Sequence, residues 1–218
     1  MNKYNQEIDI NDSETTQSKL IKLTGKNKKV LEFGCANGRM SRYLKENGCE
    51  ITGVEIDKQN AEAAKVFCRE VITGDIEDTL IMRRVDAKFD VIIFGDVLEH
   101  LRNPAPILRA ASGYLAENGY VLVSLPNFAY FTVRKDLMMG RFEYNEKGGI
   151  VDSEHVRFFT LATSKKMFLD CGYDIAYFDM LSVPRFKRFP LLYNFLKIAP
   201  SFFGYEFIFK LVPRPKNG

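Results

Sequence analysis

The chain is poor in the residues that mark disulfide scaffolds and zinc modules. Among 218 residues it has four cysteines, Cys35, Cys49, Cys68 and Cys171, none of them in a C-x-x-C pair. That density and spacing exclude a secreted disulfide framework and argue against zinc, so reduced thiols in a cytoplasm are expected. Long apolar runs are missing as well. No stretch reaches the roughly 20 residues that span a bilayer, and the first residues are polar and acidic rather than basic and apolar. Neither a transmembrane helix nor a signal peptide is expected. An excess of one charge is also absent: a formal net charge of +3 is too small to argue for nucleic acid as a partner. The basic clusters at Lys26 to Lys29, Arg83 to Arg84 and Arg185 to Arg188 read as solvated faces. What the chain does have is 46% hydrophobic and 27% charged residues, enough for one sizeable core with no bias to disorder. A single domain over residues 1–218 is expected.

The most informative segment is Val30-Leu31-Glu32-Phe33-Gly34-Cys35-Ala36-Asn37-Gly38, an apolar run ending in a glycine-rich turn that opens onto a helical stretch. A buried parallel strand is apolar, and a turn without bulky side chains lets backbone amides at a helix start approach a ligand. The dinucleotide fingerprint would need glycine at Gly34, Ala36 and Arg39, and only the first is glycine. A tight turn in an unrelated α/β domain would also use these glycines for backbone reasons alone. Two further β-rich runs end in acids. Glu50 to Val54 leads into Glu55, about twenty residues after the turn, where a carboxylate can accept both ribose hydroxyls. Val71 to Gly74 leads into Asp75. Each acid alone would serve equally as a helix cap or loop residue.

The spacing acid-x-Gly-x-small-x-Gly, with Glu32, Gly34, Ala36 and Gly38, resembles the first motif of class I S-adenosylmethionine (SAM) dependent methyltransferases. The run Phe89 to Asp96 followed by Val97-Leu98-Glu99-His100-Leu101 resembles that family's fourth motif, and the strand Tyr120 to Leu125 with Pro126-Asn127 continues the match. The pattern resembles particular subfamilies: ubiquinone-type O-methyltransferases, MetW-like proteins and methyltransferases of glycan or lipopolysaccharide gene clusters. The resemblance implies SAM as cofactor. Its methionine part would be held by Glu32, Gly34, Cys35, Ala36 and Gly38, its ribose by Glu55 beside Ile56, and its adenine by Asp75 and Ile76, with Asp96 and Val97 closing the site.

Strand and helix patterns alternate from Val30 through Leu125 without an internal repeat, which calls for a parallel sheet covered by helices on both faces. The resemblance adds a Rossmann-like, seven-stranded, mostly parallel sheet in the order 3-2-1-4-5-7-6 with the last strand antiparallel. A helix able to close over the cofactor is expected at Thr15 to Leu23, with the first dozen residues frayed; another is expected from Asn103 to Leu115. A turn at Glu117-Asn118-Gly119 should precede the fifth strand, a helix should contain Ser164 to Leu169, and strands should follow at Tyr173 to Leu181 and Glu206 to Val212. The rhythm lapses between Phe128 and Phe159 in a Tyr, Phe, Met and Gly-rich insertion, read as an acceptor lid because long irregular segments are usually functional. Residues 184–203 mix Phe, Leu, Pro and Lys. They read as a covering helix or a dimer contact, or as a surface for a peripheral membrane or lipid-linked acceptor.

The only histidines, His100 and His155, both lie in motifs, one after the fourth strand and one at the end of the insertion. Either can take a hydroxyl proton near neutral pH, so both are candidate catalytic residues. A bland reading makes them helix-orienting and backbone-bonded. The set Asp96, Glu99, His100 and His155 also resembles the divalent-metal site of small-RNA 2'-O-methyltransferases, with Asp96 in place of a longer Glu. Two imidazoles suit Mn²⁺, Fe²⁺ or Zn²⁺ better than Mg²⁺. The expected activity is O-methylation of a sugar, glycan or other small-molecule acceptor. The rivals are a non-catalytic accessory protein of MetW type and an RNA 2'-O-methyltransferase.

Overall fold

The computed structural model describes residues 8, 9, 12, 15–146, 148–182 and 198–215. Seven strands form one sheet in the order β3-β2-β1-β4-β5-β7-β6. They are β1 Lys29–Phe33, β2 Glu50–Glu55, β3 Glu70–Thr73, β4 Phe89–Gly95, β5 Leu115–Pro126, β6 Tyr173–Leu181 and β7 Glu206–Pro213. The first five are parallel, and β7 runs antiparallel to both β5 and β6, between which it lies.

Alternate side chains of the central strands enter two cores. Leu31, Phe33, Ile92, Phe94, Val121 and Phe209 point to one, and Val30, Ile51, Val91, Ile93, Leu122 and Ile208 to the other. Because both faces are covered, the strands are nearly continuous apolar runs. Phe33 and Phe94 stack across adjacent strands at 4.7 Å between centroids.

Among the described residues, seven α-helices precede β6: α1 Thr16–Thr24, α2 Arg39–Glu46, α3 Lys58–Ala64, α4 Thr79–Met82, α5 Pro104–Ala111, α6 Phe131–Met138 and α7 Leu161–Asp170. Their starts are encoded locally. Thr15, Asp57 and Asp78 each accept a backbone N–H of the first turn, and Thr160 with Thr163 makes a reciprocal capping box. Pro104 opens α5, where its missing N–H costs nothing.

Four details depart from the sequence reading. The fifth strand begins at Leu115, and the expected turn at Glu117 to Gly119 is a bulge within it: β5 pairs Leu115 with Phe89 and then Tyr120 with Val91. Asn118, at φ 62°, takes the left-handed conformation that absorbs the extra residues. Helix α5 stops at Ala111 and gives way to a tighter turn, Ser112–Tyr114. The insertion contains a regular element, α6, which has no strong apolar stripe to announce it. Within the opening dozen residues, of which 8, 9 and 12 are described, Ile8 is buried and its carbonyl accepts the Tyr43 hydroxyl at 2.9 Å, so Ile8 itself is pinned to the core.

Residues 184–197 of the hydrophobic-basic segment lie outside the described residues. Its described end forms a one-turn helix, Pro200–Phe203, whose Phe202 and Phe203 rings pack against Phe131 of α6. Among the described residues no helix is long and apolar enough to cross a membrane.

Candidate active site

The glycine turn between β1 and α2 is built by backbone geometry that its residues alone permit. Gly34, Ala36 and Gly38 all have positive φ, at 65°, 46° and 78°. At Gly34 a Cβ would come within 2.7 Å of Val97 Cγ2, so close approach of the β4 end requires glycine there. The turn is stitched to β2: the Gly34 N–H donates to the Val54 carbonyl at 2.8 Å, and the Ala36 N–H donates to Glu55 Oε2 at 2.9 Å. The other oxygen of Glu55 accepts the Asp57 N–H at 2.9 Å. Beneath the turn, Glu32 is buried and accepts the Ser41 hydroxyl of α2 at 2.6 Å. Burial, only partly offset by that bond, raises the Glu32 carboxyl to about 8.

Asp75 follows β3 and folds back on itself, its Oδ1 accepting the Glu77 N–H at 2.8 Å. Ile76 is buried in the core, whereas Ile56 is exposed. Glu77 has a role the sequence did not suggest: its two oxygens accept the N–H groups of Arg102 and Asn103, which moors the β3 loop to the start of α5.

At the far end, Asp96 leaves β4 with φ 54°. Its N–H donates to Ser124 Oγ at 2.9 Å, and that hydroxyl donates back to Asp96 Oδ1 at 2.6 Å. This places Asp96 apart from the cluster formed by Glu99, His100 and His155, whose ligand atoms lie within 4.8 Å of one another. The expected quartet is therefore a trio in this geometry. Its members come from two segments joined by backbone bonds, since the Glu99 carbonyl accepts the N–H groups of Val156 and Arg157.

Both imidazoles are oriented from behind. His100 Nδ1 lies 3.1 Å from the Glu154 carbonyl, and His155 Nδ1 lies 3.1 Å from the Ile150 carbonyl. A carbonyl can only accept, so Nδ1 carries a proton in each ring, and a neutral imidazole held this way has its lone pair on Nε2. The rings meet edge to face at 4.8 Å. Burial, reinforced by His100, holds His155 below the usual histidine range even though the Ile150 bond works against it. Both Glu99 carboxylate oxygens are buried without a hydrogen-bond partner. Burial first, then Asp96 and Asp152, push that carboxyl well above the ordinary range.

One cleft of about 1320 Å³ joins all of these parts, lined at one end by the glycine turn, Glu55 and Asp75 and at the other by Asp96, Glu99, His100 and His155. Sites for a single drug-sized ligand measure roughly 300–1,000 Å³, so a cofactor and a second molecule fit together. The Cys35 backbone belongs to the turn, but its thiol packs beneath, against Gly53. Thr16 and Gln17 of α1 and Tyr205 and Glu206 at the start of β7 complete the wall. Glu206 accepts the Thr16 hydroxyl at 2.6 Å, and burial, then Asp96, hold it well above the carboxylate range. Thr16 and Gln17 belong to the helix expected to close over the cofactor, whereas sequence reasoning missed Tyr205 and Glu206 because they lie far from any motif. The one available signal was an acid opening the otherwise apolar run Phe207-Ile208-Phe209.

A family profile described as a methyltransferase domain matches residues 12–177. The chain belongs to the class I SAM-dependent methyltransferase family. The chain is 25% identical over 160 residues to a ubiquinone biosynthesis O-methyltransferase of Psychrobacter arcticus, a match covering 67% of this chain and 59% of that protein. To the protein of the same name from Glaesserella parasuis it is 33% identical over 110 residues, 46% of each chain. It thus spans about half the length of the curated relatives it matches. Its fold is that of magnesium protoporphyrin IX methyltransferase from Synechocystis, solved with bound S-adenosylhomocysteine (SAH). The TM-score is 0.63 at 16% identity, covering 92% of this chain and 82% of that one. It is also that of a possible histamine N-methyltransferase from Thermotoga maritima, with a TM-score of 0.61 at 17% identity, covering 93% and 90%.

Proposed function

We propose that this methyltransferase moves the methyl group of SAM to an oxygen of a small-molecule acceptor, a sugar, glycan or other hydroxyl compound. The observation that carries the reading is the single cleft in which the glycine turn and Glu55 face a pair of imidazoles with free Nε2 atoms. The O-methyltransferase names of its relatives support an oxygen acceptor. SAM lies with its methionine part on the Gly34 to Gly38 turn, its ribose against Glu55 and its adenine between Asp75 and Ile76. The insertion, Phe128 to Phe159, is the acceptor lid, and His155 closes the site from it. In the reaction an acceptor oxygen lone pair attacks the methyl carbon as the C–S bond breaks. The sulfonium becomes a neutral thioether, and the acceptor proton passes to an imidazole Nε2. Sulfonium already activates the methyl group, so the chain contributes mainly positioning, desolvation and proton acceptance.

The Glu99, His100 and His155 trio also fits a divalent cation. Two buried carboxylate oxygens without partners are costly, and both imidazoles are oriented by carbonyls from behind, as metal-binding histidines usually are. One carboxylate with two nitrogens suits Mn²⁺, Fe²⁺ or Zn²⁺. A cation held there would act as a Lewis acid on the acceptor oxygen. The residues that hold it would be these three.

The test is transfer of radiolabelled methyl from SAM to a panel of catechols, sugars and glycans, with and without Mn²⁺. Labelled product should appear with a hydroxylated acceptor. His100→Ala and His155→Ala should lower turnover by roughly a hundred- to ten-thousand-fold while SAH affinity stays near wild type. Full activity in both variants would make the histidines structural. Calorimetry with Mn²⁺ alone, compared between wild type and Glu99→Gln, reads the cation site without any acceptor.

A further inference from the structure

Two cysteines far apart in sequence meet beneath the glycine turn, and the proposed methyl transfer uses neither thiol. The Cys35 thiol and the Cys68 sulfur converge on Gly53 of β2. A Cβ placed at Gly53 would lie 2.6 Å from Cys35 Sγ and 3.5 Å from Cys68 Sγ, so the missing side chain is the space the two sulfurs occupy. Both are free thiols, and each shifts the other's titration. Cys68 sits just past α3, its N–H bonded to the Ala64 carbonyl at 3.0 Å, while Cys35 lies inside the cofactor turn, its carbonyl accepting the Gly38 N–H at 2.9 Å.

We propose that Cys35 and Cys68 form a reversible oxidation site, a peroxide-driven disulfide that pulls on the glycine turn and weakens cofactor binding. The inference rests on the cofactor placement proposed above. The two thiols are unequal. The neighbouring Cys35, with help from Ser41 and Lys45, holds Cys68 below the usual thiol range against the opposing effect of burial. Cys35 is driven the other way by Cys68 and by burial. Cys68 is thus the attacking thiolate and Cys35 the resolving thiol. The Cys68 thiolate attacks one peroxide oxygen, the O–O bond breaks, and with one proton taken up the products are water and a Cys68 sulfenic acid. Cys35 sulfur then displaces the sulfenic oxygen, which leaves as a second water carrying the thiol proton. Two thiols lose two electrons and two protons, and one hydrogen peroxide becomes two waters. A dithiol reductant reverses the bond by exchange.

Disulfide geometry is narrow, so closing the bond must draw the Cys35 backbone toward the end of α3. Gly34, Ala36 and Gly38 move with it, and these positions shape the turn on which the cofactor is placed. By linkage, a disulfide that weakens SAH binding implies that bound SAH opposes the disulfide by the same factor.

The test treats the full-length reduced protein with hydrogen peroxide, with and without SAH. Peptide mass mapping of alkylated digests then follows, with calorimetric SAH affinity before oxidation, after it and after dithiothreitol. The expected result is a Cys35–Cys68 cross-link lighter by two hydrogens, SAH affinity reduced at least about fivefold, restoration by dithiothreitol and slower cross-linking in the presence of SAH. Cys68→Ser and Cys68→Ala should bind SAH like the reduced wild type and keep that affinity through peroxide. A missing cross-link with intact SAH binding overturns the dithiol proposal, as does a cross-link that leaves SAH affinity unchanged. A peroxide effect that persists in both variants overturns it too. Absence of SAH binding by the reduced protein overturns the cofactor placement and the coupling to it together.

Discussion

Both oxygens of Glu55 accept backbone N–H groups, one from the glycine turn and one from the loop entering α3. The carboxylate therefore sets the turn as well as facing the cleft. Glu55→Ala should weaken SAH binding by roughly ten- to hundredfold, the equivalent of one or two charged hydrogen bonds, and isothermal calorimetry would read it. Glu32 makes a different prediction because its folded value is raised from an ordinary 4.5 to about 8. Between those values the folded chain holds a proton that the unfolded chain has lost. Its stabilising contribution is full below about 4.5 and is lost as the pH rises to about 8. Glu99 and Glu206 are raised in the same direction. The unfolding midpoint should thus fall as pH rises across that window, and Glu32→Gln should make the decline shallower, as a pH series of thermal melts would reveal. The glycine turn and its acids were readable from sequence because each lies where an apolar run stops. The inward turn of the Cys35 thiol was not, since it depends on Gly53, eighteen residues away by number and adjacent only through β1–β2 pairing.

At the scale of elements, a buried amide fixes the start of the insertion. Asn127 donates to the carbonyls of Ser201 and Gly204 at 3.1 and 2.7 Å, while its Oδ1 accepts the Ala129 N–H at 3.0 Å. Its backbone pairs with Phe159 at the other end of the insertion. Truncation would strand buried carbonyls, so Asn127→Ala should cost about 2–4 kcal/mol in a urea titration, well above a surface substitution. Inside the insertion, Phe128, Phe142, Tyr144 and Phe158 form a cluster of ring contacts that closes over the loop. Sequence marked this segment as irregular and missed α6, whose face against the body is narrow, with Val133 its buried residue. The strands β1 to β4 were legible because continuous apolar runs can only be buried on both faces. The bulge in β5 was not, because Asn118 and Gly119 spell a turn equally well when read locally.

For the whole molecule, ligand binding and folding are linked through the cleft, which draws residues from α1, both halves of the sheet and the insertion. SAH at about a hundred times its dissociation constant should add roughly 2.7 kcal/mol of stability, visible as a raised thermal midpoint, with NADH as an inert control. The sheet order followed from the family resemblance, whereas the composition of the acceptor end did not. Thr16, Tyr205 and Glu206 become neighbours only once the chain has crossed the whole sheet, and no local pattern encodes a contact spanning 190 residues. The position of β7 has a consequence for synthesis on the ribosome. The strand translated after all the others is inserted between two that were made before it. The residues that form the cofactor end, from Val30 to Asp96, can emerge and pack while β5 and β6 still present bare edges to each other. A nascent chain that has not yet delivered Glu206 to Pro213 therefore has half a cleft and two strands exposed to pairing with other molecules. Release at that stage would favour aggregation over a partly active enzyme.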